Sequence, residues 1–410
     1  MKRFCLLPLL AVIAFGCATA PVQPEAQPRA LTKAEGELVA ADNGFGMMLL
    51  TRLHEAQPAE NVVISPVSIS MALGMTLNGA RSETYDSMRA TLGFAGLTQE
   101  EINTSYGSLM QLVTHLDSKV EVTVANSVWY DTRQLAVDTT FSRTLATYFN
   151  ADTRGLDFSS PTAVPAINGW VSANTKGKIP EIVTPPIDPS MVMFLIDALY
   201  FKGGWRAKFD PALTHDGTFT LADGSTVPCR MMSRSGGYRR RYGALNGITV
   251  VDLPYGNGRY SMTIVLPPST QQLSGVIASL TPAVWSSWVD SLRDVGHEDE
   301  IELPKFTLRY DRKLNDALTS LGMGIAFSDR ADLSGIRAGH EPNNLTISEV
   351  RHKVYIDVDE EGTEAAAATS VGISTTSVPA PIRVNRPFIL AIREQTTGAI
   401  LFLGTVMNPA

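Results

Sequence analysis

An α+β fold with large antiparallel sheets is what this sequence predicts, on four local signals and one missing pattern. Ser65-Pro66 reads as a helix start, because a serine hydroxyl can cap the first free N–H groups and proline suits the first turn. The run Val67–Leu77 continues that helix, and Asn78-Gly79 ends it. Val120–Tyr130 alternates with period two and is rich in valine, as strands are. Tyr260–Leu266 is a further strand stopped by Pro267-Pro268. Phe388–Arg393 and Ala399–Val406 are apolar runs joined through Thr396-Thr397-Gly398, the pattern of a buried hairpin. Helix and strand signals do not alternate as a βαβ chain would. Length alone suggests two or three domains, but residues 35–410 contain no repeat and no second linker, which favours one large domain.

Composition narrows the function. The 410 residues are 44% hydrophobic and 18% charged, ordinary globular values with ample core material. A net charge of −7 argues against a nucleic-acid partner, which would need a basic face. Lys2 and Arg3 precede an apolar run, Phe4–Gly16, that is too short to span a membrane and reads as a secretory signal. Ala14-Phe15-Gly16-Cys17 resembles a bacterial lipobox, so Cys17 is expected to be lipidated and to hold the chain to outer-membrane lipid. The alternative is plain secretion after Ala18-Thr19-Ala20, with Pro21 then following the cut. Residues 1–17 are thus expected to be a signal peptide and residues 35–410 the fold. Residues 18–34, with Pro21, Pro24 and Pro28, would be a flexible tether. Either way the protein is expected outside the cytoplasm.

With Cys5 in the signal and Cys17 lipidated, Cys229 stands alone, so neither a disulfide nor a thiolate metal cluster is expected. Catalytic motifs are missing too. His54, His297 and His340 each precede a glutamate, but none has a second histidine four residues on. There is no G-x-S-x-G elbow, phosphate-binding loop or C-x-x-C, so local motifs mark no catalytic, cofactor or metal site, although a His and an Asp distant in sequence could still meet in space.

Attention then falls on Glu360–Ser377. Four consecutive alanines after Glu364 suggest one helical turn, but Thr369, Val371, Gly372, Ile373, Thr375 and Thr376 extend it poorly. Read with period two, one face carries Thr363, Ala365, Ala367, Thr369, Val371, Ile373 and Thr375, none charged. The other carries Glu364, Ala366, Ala368, Ser370, Gly372 and Ser374, small and mostly polar. No proline falls between Gly362 and Ser377, so every amide can join a ladder. Such a segment can slide into a sheet, with Gly362 as a pivot. Pro379 and Pro381 would hold the stretch after it extended.

These residues, with others, resemble the serpins. Glu360-Glu361-Gly362-Thr363-Glu364-Ala365-Ala366-Ala367-Ala368-Thr369 matches that family's hinge. Asn61–Ile69, Phe201-Lys202-Gly203-Gly204-Trp205, Leu303-Pro304-Lys305-Phe306 and Leu321-Gly322-Met323 are similar to other family motifs. So are Ala326-Phe327-Ser328, Arg386-Pro387-Phe388 and Asn408-Pro409, the whole set covering residues 35–410 in order. The resemblance implies a serpin fold of three β-sheets and about nine helices with an exposed reactive-centre loop. It also implies suicide inhibition of a serine protease by a monomer, in a covalent complex with its target. The cut loop enters the central sheet, and fourteen residues at ~3.3 Å each carry it roughly 45 Å.

Counting along the family pattern from Glu360, or back from Asn385, places the scissile bond at Thr376–Ser377, with Thr375–Thr376 as the alternative. A small uncharged residue before the bond suits elastase-like or subtilisin-like enzymes and argues against trypsin-like ones. The sheet-opening cluster maps onto Ser65, Ser68, Asn168, Asp197 and His352. Asp197 departs from the family, which usually has Asn there, and an acid near His352 would make strand opening pH-dependent. Gln99–Ser118, where some serpins carry a heparin-binding basic helix, has no Lys or Arg, so polyanion activation there is not expected. Arg239-Arg240-Arg241 reads as a solvated strand edge or turn in preference to a ligand site. The alternatives to serine-protease inhibition are cross-class inhibition of papain-like cysteine proteases and a non-inhibitory, binding or chaperone-like role. The small hinge residues speak against the last.

Overall fold

The structure, a computed structural model, describes residues 27–241, 247–296, 299–340, 345–363 and 381–410. Helices gather at the N-terminal end: α1 (Lys33–Ala56), α2 (Pro66–Leu77), α3 (Ser82–Thr91), α4 (Gln99–Val113), α5 (Thr139–Phe149) and α6 (Ala163–Asn174). Shorter ones follow: α7 (Leu273–Ala278), α8 (Pro282–Val289) and α9 (Asn315–Leu318). The first helix, not foreseen from the sequence, opens within the stretch expected to be a tether. Thr32 and Glu35 form a reciprocal capping box, and Arg29 ion-pairs with Glu35 at 2.5 Å. Residues 29–35 are therefore tied to the fold, which begins before residue 35. Ser65 caps α2 by accepting from the Ser68 amide, as its sequence predicts.

Strands form three sheets. The seven-stranded sheet runs, edge to edge, β1 (Val62–Ile64), β17 (Ile400–Val406), β16 (Phe388–Glu394), β9 (Tyr260–Leu266), β8 (Thr249–Pro254), β7 (Arg239–Arg241) and β10 (Leu292–Asp294). Every residue of β9, β16 and β17 is buried, so apolar residues dominate both faces of these strands. The buried charge there is paired. Asp252 accepts from Arg239 and Arg393 at 2.6 and 3.0 Å, and from Thr263 and Ser261. The arginine run is thus not a free edge: β7 lies between β8 and β10, with Arg239 on Asp252.

A four-stranded sheet has the order β15 (Ile382–Arg383), β11 (Glu300–Pro304), β6 (Thr226–Ser235) and β5 (His215–Thr220). The six-stranded sheet positions the site. Its order is β12 (Phe306–Lys313), β13 (Arg351–Val358), β14 (Gly362–Thr363), β4 (Met193–Gly204), β2 (Val120–Asp131) and β3 (Ala151–Leu156). Pairing is antiparallel except for β2 with β3, and for β15 with β11 in the smaller sheet. The main core, with α1, α2 and α4, lies on one side of this sheet. On the other side α6 buries Ile167 and Val171 against Trp129 of β2 and Ile196 of β4. One free cysteine, Cys229, occurs among the described residues, and no helix there is long and apolar enough to cross a membrane.

Candidate functional site: a threaded hinge above an open sheet

Two residues separate β13 from β4. Gly362 and Thr363 form β14, Thr363 pairing with Gly203 on one side and Val358 on the other. Below that bridge β4 and β13 have no ladder between them among the described residues, so two neighbouring strands present unpaired backbone edges. Beneath lies a cavity of ≈ 80 Å³ lined by Ser68, Leu73, Asp197, Ile336, Leu345 and His352.

The hinge is held at its top by a compact set of bonds. The Asp359 carboxylate accepts from the Glu361 and Gly362 amides at 2.9 and 3.1 Å, which makes the turn after β13. Trp205 donates its indole N–H to the Asp359 carbonyl at 2.9 Å and its amide to the Glu361 carbonyl at 2.8 Å. The Phe209 amide donates to the Glu360 carbonyl at 3.0 Å. Lys305 and Thr214 donate to the Glu360 carboxylate at 2.6 and 2.8 Å, and Lys208 ion-pairs with Glu361. Thr363 points inward, its hydroxyl 2.7 Å from that of Tyr255, whose ring stacks on Trp205 at 4.4 Å.

Burial works to raise the Glu360 carboxyl, but Lys305 and Thr214 outweigh it and hold it below its ordinary value of 4.5. A depressed acid stabilises the fold above its unfolded value and loses that contribution as pH falls through the folded one. The clamp is therefore expected to loosen as pH drops below 4.5. Hydrogen exchange at the Phe209 amide should accelerate there in the native protein and should already be fast at pH 7 in Glu360→Ala.

The sheet-opening residues separate into two groups. Ser65, Ser68, Asp197 and His352 meet beneath the gap. The Ser65 amide donates to His352 Nε2 at 3.0 Å, and the Ser68 hydroxyl donates to Asp197. Asn168 is not with them. It stands on α6, across the sheet from α2, and fixes the next loop by accepting from the Ile182 and Val183 amides, both at 2.9 Å. His352 is also not the group that titrates near neutrality: burial pushes it down to about 3, and its Nε2 is already an acceptor. Asp197 is the group that does, since burial pushes its carboxyl up to about 8 against the opposing Ser68 bond.

Sequence reasoning missed three partners. Asn126 sits directly across from Asp197 in the β2–β4 register and gives its amide group to the Phe149 carbonyl at 2.8 Å. Its signal was an asparagine interrupting the apolar face Val120, Val122, Val124, Val128. Lys208 and Tyr255, which hold Glu361 and Thr363, carry no local signal, because their roles arise only when distant segments meet. Cys17, the hinge residues Glu364–Thr369 and the bond Thr376–Ser377 lie outside the described residues.

Comparison with known proteins agrees with this architecture. The family model described as "Serpin (serine protease inhibitor)" matches residues 40–409. The chain is 34% identical over 383 residues to Iripin-5 of Ixodes ricinus, covering 91% of this chain and 95% of that protein. It is 32% identical to human serpin B11, covering 91% of this chain and all of the relative. Among solved structures, a thermophilic serpin, tengpin, in its native state superposes with a TM-score of 0.82 at 31% identity, covering 93% and 96% of the two chains. Thyroxine-binding globulin in complex with thyroxine superposes at 0.82 with 29% identity, covering 91% of this chain and 99% of that one.

Proposed function

The chain belongs to the serpin family, a family of protease inhibitors, and on that premise we propose that it is an irreversible suicide-substrate inhibitor of serine proteases. One observation carries this furthest: Gly362 and Thr363 already stand between β4 and β13, while the strand edges beneath them have no ladder between them among the described residues. A strand needs only to continue a register already set. Six residues on from Thr363, Thr369 then falls opposite Asp197 on β4 and His352 on β13, and Val371 opposite Leu195. The inward face is the one with Ala365, Ala367 and Thr369, small enough to pass over Ser68 and α2.

The chemistry follows from ordinary acyl transfer. The target's serine attacks the Thr376–Ser377 bond, the new amine leaves with Ser377, and an ester holds the protease to Thr376. The freed strand zips into the gap before water reaches the ester, and the protease is carried off with its site distorted. Sheet completion supplies the driving force, as in other stored-strain switches. Thr376 favours elastase-like or subtilisin-like targets. We further propose that the protein works outside the cytoplasm as a monomer, tethered through lipidated Cys17.

A direct test is incubation of the purified protein with elastase-like, subtilisin-like, trypsin-like and papain-like proteases. An SDS-stable adduct with the first two is expected. Cleavage in the loop with no adduct from any protease sinks the proposal. The same test separates the two alternatives. An adduct with the papain-like enzyme alone would indicate cross-class inhibition, whereas no adduct together with saturable ligand binding would favour a non-inhibitory binding or chaperone-like role, the binding part of which the likeness to thyroxine-binding globulin supports.

A further inference from the structure

Asp197 is an acid in an unusual place. It lies on β4 at the open edge of the gap, its carboxyl directed toward α2 and the cavity below. Oδ1 accepts from Ser68, whereas Oδ2 is shut off from solvent and has no hydrogen-bond partner among the described residues.

No cation faces it. Around the cavity stand Glu349, Arg351 and His352, and Arg351 is spent on Asp311 at 2.7 Å and Glu349 at 3.6 Å. His352 is neutral and turns Nε2 to the Ser65 amide. Across the sheet Asn126 gives its amide group to Phe149 and Met71. From α4, Tyr106 directs its hydroxyl at Asp42 of α1 and Ser70 of α2, at 3.0 and 2.8 Å. Asp42 is itself a buried acid, raised by burial to about 7. A carboxylate at 197 therefore has one hydroxyl and whatever water the cavity admits, whereas a neutral carboxyl needs no counter-charge.

We propose that the Asp197 carboxyl is a proton-operated latch on the gap between β4 and β13, neutral when a strand can fill the gap and opposing the filling when ionised. The latch rests on the function proposed above, in which a strand enters this gap. Filling the gap closes the cavity over the carboxyl and buries it further, so it holds the acid's pKa higher still. Each further unit is a factor of ten in the equilibrium. The sign follows from linkage. An acid raised from 3.8 to about 8 binds its proton more tightly in the fold than in the unfolded chain, so stability declines as pH climbs between those values. Filling, which raises the acid further, weakens as pH climbs above 8.

The test compares the full chain with Asp197→Asn, a near-isosteric change that removes the titration. The ratio of cleaved to trapped inhibitor is measured against one protease from pH 6 to 9.5. The native protein should shift several-fold toward cleavage at the alkaline end. The variant should stay flat, and the comparison removes the protease's own pH profile. Asp42→Asn should keep the native profile, since Asp42 does not border the gap. Coincident profiles for the native protein and Asp197→Asn, with adduct formed in both, overturn the latch alone. No adduct at any pH in either overturns the inhibitor reading and the latch with it. Side-chain carbon NMR gives a direct readout: an Asp197 midpoint in the ordinary carboxylate range overturns the latch even if an asparagine variant fails to fold.

Discussion

Thr363→Arg should convert the inhibitor into a substrate. Thr363 is 2% exposed, its hydroxyl on Tyr255, beside the stacked Trp205 and the edge-on Phe201. A guanidinium there must be desolvated among aromatic rings, a penalty of roughly several kcal/mol for a buried charge left unpaired. The arginine would stay outside, and with it the strand that must follow. Loop cleavage should continue at its normal rate while the SDS-stable adduct falls by at least about tenfold, the effect of roughly 1.4 kcal/mol on the partition. Persistent trapping by this variant would show that insertion does not begin at Thr363.

Gly362→Ala should expel the hinge from the sheet. Gly362 has φ +155°, and a Cβ there would lie 2.7 Å from Gly204 Cα and inside the radius of the Gly203 carbonyl oxygen. Both neighbours are backbone of β4, so no side-chain rotation relieves the overlap. Strain of this kind costs about 1–3 kcal/mol, which the two-residue bridge is too short to offset. Hydrogen exchange should rise at the Trp205 and Phe209 amides, whose acceptors are the Glu361 and Glu360 carbonyls, and the thermal midpoint should fall. Unchanged protection at those two amides would contradict the close approach.

Local patterns carried much of the fold into the sequence. Ser65-Pro66 marked α2 because capping is settled within four residues, and the alternation of Val120–Tyr130 marked β2 because a strand's two faces see different surroundings. The hairpin of β16 and β17 was visible because complete burial leaves mostly apolar runs, with Arg393, Glu394 and Thr405 as the polar exceptions. What escaped was set by distance. Sequence cannot say that α6 lies across the sheet from α2, so Asn168 was grouped with Ser65 although it serves its own loop. Nor can it give the state of an ionisable pair: an Asp near a His suggested a histidine switch, and burial without a counter-charge moved the titration to Asp197. The start of the fold was misplaced for a local reason. Thr32 and Glu35 form a capping box that the proline-rich composition around them concealed.

The pairing of β1 with β17 governs how the molecule is made. Val62 lies against Thr405 and Ile64 against Leu403, so this sheet edge closes only after nearly the whole chain is present. The hinge at Glu360–Thr363 and both strands flanking the gap precede β16 and β17 in the chain, and are available to each other before that closure. Contacts of such long sequence separation form slowly and favour populated intermediates. On the strand insertion proposed above, the native arrangement must win a race, the β1–β17 edge sealing before the gap between β4 and β13 takes up a strand from its own chain. The same proposal makes the order of assembly, more than the depth of the final energy well, the factor that decides which structure the cell obtains.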